Sequence, residues 1–100
     1  MNTKTITIIS DGGEPITVRV PCHIPTNGRA ETLRALYTEY VKPLSADKHW
    51  KGPCEAIVQT ELAMLVEEAM DFMGSTVDSH EARPDGTTRL YSRGYWAHGF

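Results

Sequence analysis

The side chains best equipped for covalent or metal chemistry in this chain are Cys22 and Cys54, with His23, His49, His80 and His98. A histidine beside a cysteine takes the thiol proton and makes a nucleophile. A structural zinc needs four such ligands, usually in close-spaced pairs. The chain has neither Cys-x-x-Cys nor His-x-x-x-His. Cys22 and His23 are adjacent, so on a strand they point to opposite faces. His49 and Cys54 flank Gly52-Pro53 and can approach one another across that turn. A small Cys/His-dependent enzyme would therefore centre on Cys54 or Cys22, with no spacing that selects a partner. The chain has no Gly-x-Ser-x-Gly and no phosphate-binding loop. Glu67 and Glu68 are neighbours on a helical run, and neighbours splay apart instead of sharing a proton. The expectation is a protein that is not an enzyme and that uses no metal or cofactor.

Two surfaces are more promising. Between Pro53 and Met73 the apolar residues Val58, Leu62, Leu65, Ala69, Phe72 and Met73 fall at helical spacing and predict one long amphipathic helix. Beside that stripe lie Glu61, Glu67, Glu68 and Asp71, within about a third of the circumference. Such a face is either solvated or meets a basic partner. Ile57 and Met64 fall among these carboxylates, and apolar residues embedded in charge are typical of an interface. The second surface is the closing run, where Arg89, Tyr91, Arg93 and Tyr95 alternate along one face of a strand while Leu90 and Trp96 face inward. Arginine and tyrosine stack on bases and anchor protein interfaces. Arg93-Gly94-Tyr95-Trp96 resembles the sheet motif of RNA-recognition domains, with fewer aromatic positions and a different strand order. Direct nucleotide or single-strand binding is thus an alternative, and cross-strand pairs that merely decorate a sheet are another.

The elements that must hold these residues read as α+β. Thr3 to Val20 alternates isoleucine and valine with polar residues around Ser10-Asp11-Gly12-Gly13-Glu14-Pro15, which predicts a hairpin. Pro21 and Pro25 end it. A first helix is expected from Arg29 to Lys42, carrying Leu33, Leu36, Tyr37, Tyr40 and Val41, and stopped by Pro43. Residues 44–53 connect to the second helix, with Ser45 capping a short turn that carries Trp50. Pro53 reads as that helix's first residue and Gly74 as its left-handed cap. A second hairpin over 76–97 turns at Arg83-Pro84-Asp85-Gly86. The natural assembly is an antiparallel sheet of about four strands, from the N-terminal and C-terminal hairpins, with both helices on one face. Whether the hairpins share one sheet stays open.

One hundred residues suit a single domain over 1–100, with 40% hydrophobic and 23% charged residues arguing against disorder. A net charge of −3 excludes a globally basic nucleic-acid binder. Two cysteines make no disulfide framework; one bridge between Cys22 and Cys54 stays open beside the expectation of free thiols. No signal peptide or membrane span is legible, which points to a cytoplasmic protein. Exposed hairpin edges leave a homodimer open. Short, mildly acidic α+β proteins without active-site motifs resemble phage-encoded inhibitors of host defence of the anti-CRISPR kind. That resemblance lies in size and style. It implies blockade of a larger protein or ribonucleoprotein complex, with the acidic face of Glu61, Glu67, Glu68 and Asp71 occupying its basic surface.

Overall fold

The structure is a computed structural model, and it describes residues 2–10, 12–44 and 53–93. Strands β1 (Thr3–Ile9) and β2 (Pro15–Pro21) form the N-terminal hairpin. Helix α1 (Arg29–Tyr40) follows, then a short strand β3 (Lys42–Pro43). Next come β4 (Cys54–Gln59), α2 (Thr60–Phe72), β5 (Ser79–Ala82) and β6 (Thr87–Ser92). The class is α+β, as expected. All strand pairing is antiparallel, in a two-stranded sheet β1-β2 and a four-stranded sheet ordered β3-β4-β6-β5. The hairpins therefore do not share a sheet.

Residues 54–59 depart from the expected helix and form the strand beside β6. Cys54, Ala56 and Val58 are buried and alternate with Glu55, Ile57 and Gln59, a period of two. Val58 sits four residues before Leu62, so it also fits a helical stripe. Pairing with β6 along all six residues, and with β3 at Cys54 and Glu55, satisfies backbone groups here, and this tertiary gain outweighs the local pattern. The helix starts only at Thr60, whose N–H and hydroxyl both bond to the Gly86 carbonyl at 3.1 and 3.0 Å. Likewise α1 ends at Tyr40, two residues early, because Lys42 and Pro43 pair with Glu55 and Cys54.

Helix α2 is the centre of the molecule. It touches β4 and β6 on one side, α1 on another and β2 of the hairpin on a third. Leu62, Ala63, Leu65, Val66, Ala69 and Met70 are consequently all buried, an arc wider than the expected stripe. Phe72 leaves the core and is 41% exposed, with the Arg34 guanidinium 5.5 Å from its ring centre. Ile6, Ile8, Val18, Val20, Leu33, Leu36 and Leu90 join the same continuous core. The Arg83–Gly86 turn forms as expected, with Gly86 at φ 87° and Asp85 accepting from the Thr87 N–H and hydroxyl at 3.0 and 2.6 Å. Those two hydrogen bonds hold the Asp85 carboxyl below its ordinary pKa.

Candidate functional site

The proposed partner-binding residues fall into two groups on different elements. Glu61, Met64, Glu67, Glu68 and Asp71 are together on one side of α2, away from its buried residues. Met64 is 60% exposed near the middle of this arc, and Glu61 and Asp71 are exposed on either side of it. Where α2 gives way to the segment leading into β5, Met64, Glu67, Glu68, Asp71, Thr76 and Val77 line a groove of about 330 Å³. Met64, Glu67, Glu68 and Asp71, its helical walls, lie on α2 at the helical spacing read from the sequence. Thr76 and Val77 were missed, because they follow the Gly74 turn and no helical spacing relates them to Met64.

The carboxylates of the groove are not equivalent. Glu67 Oε1 accepts from His80 Nε2 at 2.8 Å, which ties α2 to the edge strand β5. Glu68 Oε1 accepts from Arg29 Nη2 at 3.1 Å, tying α2 to the start of α1. Both pairs are partly exposed surface contacts, worth little in stability individually. Glu61 and Asp71 have no ion pair among the described residues, so they carry the charge available to a partner. Chemically, this arrangement is suited to recognition. Methionine and valine supply apolar contact, and the flanking carboxylates select a cation.

Ile57 does not belong to this group. It stands on β4, 48% exposed, directly opposite Arg89 of β6 on the outer face of the four-stranded sheet. Alternation along β6 buries Thr88, Leu90 and Ser92 and turns Thr87, Arg89 and Tyr91 outward, as expected. Arg89 is engaged, donating from Nε to Glu55 Oε2 at 2.8 Å while its guanidinium lies 4.9 Å from the centre of the Tyr91 ring. Asp78 Oδ2 accepts from the Arg93 N–H at 2.8 Å and lies 3.9 Å from its Nε. With Glu55 and Glu81 on the same face, this surface is a balanced set of cross-strand pairs instead of a basic stripe. Tyr95, Trp96, Ser45, Trp50, His49 and His98 lie outside the described residues.

Cys22 is exposed and Cys54 buried, both unbridged. Burial pushes the Cys54 thiol above its ordinary pKa, despite hydrogen bonds to Ser75 and Ser92 that pull the other way. That is opposite to the depressed pKa of a nucleophilic thiol. Tyr37, Ser75 and Ser92 are buried around it, and burial raises the Tyr37 hydroxyl as well. His23 pairs with Glu39 at 2.9 Å. Among the described residues no group of His, Cys, Asp and Glu is placed to hold a metal ion. No helix among them is long and apolar enough to cross a membrane. The chain matches no protein-family model, no curated protein and no solved structure.

Proposed function

We propose that this chain is a non-enzymatic interaction protein, a small inhibitor that blocks a larger nucleic-acid-binding complex in the manner of anti-CRISPR proteins. The supporting observation is the exposed arc of α2, where Met64 is flanked by Glu61 and Asp71, carboxylates with no ion pair among the described residues, and opens into the groove walled by Glu67, Glu68 and Val77. A rigid helix that presents fixed carboxylates around an apolar centre competes with nucleic acid for basic side chains. The arc is held from behind by six buried apolar residues, so charge can be altered on it without touching the core. A cytoplasmic site of action follows from a nucleic-acid-binding target.

The test is capture of a basic, nucleic-acid-binding complex from host lysate by the wild-type chain and by Glu61→Lys with Asp71→Lys. The wild type should capture the complex and lower its affinity for nucleic acid, and the double variant should do neither while unfolding at the same temperature. Capture that survives the reversal contradicts the acidic-face mechanism.

A further inference from the structure

Among the described residues the two sheets end in the edge strands β1, β2, β3 and β5, and the last three are short or carry proline. Strand β3 is two residues long and contains Pro43. Strand β5 is four residues long and is entered through a bulge, since Asp78 N–H bonds to the Tyr91 carbonyl while Ser79 is the residue in register with Tyr91. The hairpin requires its hydrogen-bond phase. Cys22 N–H bonds to the Asn2 carbonyl at 3.3 Å and Ser10 N–H to the Glu14 carbonyl at 2.8 Å, each between residues directly opposite. Bonded pairs alternate along an antiparallel ladder, so Lys4, Ile6 and Ile8 bond across to β2. On β2 the outward residues are then Pro15, Thr17, Arg19 and Pro21, and the prolines at its two ends have no N–H to offer.

Strand β1 differs. Thr3, Thr5, Thr7 and Ile9 turn their N–H and C=O groups away from β2. The Ile9 carbonyl is taken by Arg29 Nε at 3.0 Å, which independently supports this phase. No described residue bonds to the outward backbone of Thr3, Thr5 or Thr7. An open edge with free donors and acceptors is a template for another strand.

We propose that β1 pairs antiparallel with β1 of a second copy of the chain, joining the two hairpins into one sheet across a twofold axis. The segment Thr3-Lys4-Thr5-Ile6-Thr7 is self-complementary about Thr5, setting Thr3 against Thr7 of the second copy and Thr5 against itself. Registers that slide toward Ile9 meet the Arg29 side chain, and a one-residue slip puts the isoleucines in water. On the inner face, Lys4 of the second copy stands opposite Ile6, beside the groove of about 310 Å³ formed by Ile6, Ile8, Thr26, Gly28, Arg29 and Thr32. Its methylene stem covers apolar wall while the ammonium stays in water. The joined sheet ends on both sides in β2, whose prolines stop further addition, so the assembly closes as a dimer and does not extend into a fibre. This inference is independent of the acidic arc on α2.

Sedimentation velocity across a concentration series up to about 1 mM decides it. The wild type should sediment at twice its 11.1 kDa mass, and Thr5→Pro as a monomer with unchanged circular dichroism, since β2 already carries proline at equivalent outward positions. A second comparison does not depend on Thr5→Pro folding. Residues in a hydrogen-bonded pair have Cα atoms about 5.5 Å apart, within disulfide range. In a Cys22→Ser background, Thr5→Cys should oxidise fully to a covalent dimer, and Thr17→Cys, exposed on the same face of β2, should stay monomeric. A wild type that is monomeric throughout, a dimeric Thr5→Pro, or Thr17→Cys cross-linking as readily as Thr5→Cys would each overturn the proposal.

Discussion

At 4% exposure the Cys54 side chain is packed between Ser75, Ser92 and Tyr37, while Cys22 faces solvent at the end of the hairpin. A thiol reagent should therefore modify one cysteine per native molecule at once and the second only on unfolding, and peptide mapping should place the fast site at Cys22. Protonation has a matching signature. Cys54 has a raised folded pKa, so its contribution to stability is complete below the ordinary thiol value of about 8.5 and is lost as pH climbs through the folded value. Urea unfolding should show stability falling above that pH by at most about 1.4 kcal/mol per pH unit for this group. Cys54→Ala should flatten that limb, leaving the later contribution from Tyr37, which is raised for the same reason. Deep in the core, Leu65 is fully buried between sheet and helix, and Leu65→Ala should cost about 2–5 kcal/mol in the same assay.

The helices and hairpins show where a sequence speaks for itself and where it does not. The N-terminal hairpin was legible because β-branched alternation, a glycine turn and flanking prolines all agree from Thr3 to Pro21. Helix α1 was legible from Leu33, Leu36, Tyr37 and Tyr40 at helical spacing, but its end at Tyr40 was not, because the pairing of Lys42 and Pro43 with β4 sets it. Strand β4 was not. Cys54, Ala56 and Val58 alternate, yet Val58 also continues the helical spacing to Leu62, and Pro53 suits either a helix start or a strand start. What decides is the partner strand β6, more than 25 residues away, which no local pattern contains. Ile57 moved from the acidic helix to the sheet face with that boundary, whereas Glu61, Met64, Glu67, Glu68 and Asp71 kept their places because they lie after it. The tight turn before β6 gives a test at this scale. Gly86 sits at φ 87°, so Gly86→Ala should lower stability by about 1–2 kcal/mol although a Cβ there meets nothing within 4 Å.

At the scale of the whole molecule, net charge of −3 is modest, and its placement matters more than its size. The outer face of the four-stranded sheet pairs its charges internally through Arg89 and Glu55, while the open arc of α2 leaves Glu61 and Asp71 unpaired among the described residues. Electrostatic recognition by the arc should weaken with added salt, because exposed charges are screened beyond about 8 Å at physiological ionic strength. Reversing Glu61 and Asp71 should remove binding without changing the unfolding temperature. Binding measured against salt and against these variants thus separates an electrostatic surface from a sticky one. The most direct measurement is the nucleic-acid affinity of a complex captured by this chain, titrated with the wild type and with Glu61→Lys, Asp71→Lys. The wild type is predicted to displace nucleic acid and the variant to leave it bound. Equal displacement by both would contradict the assignment of function to the acidic face of α2.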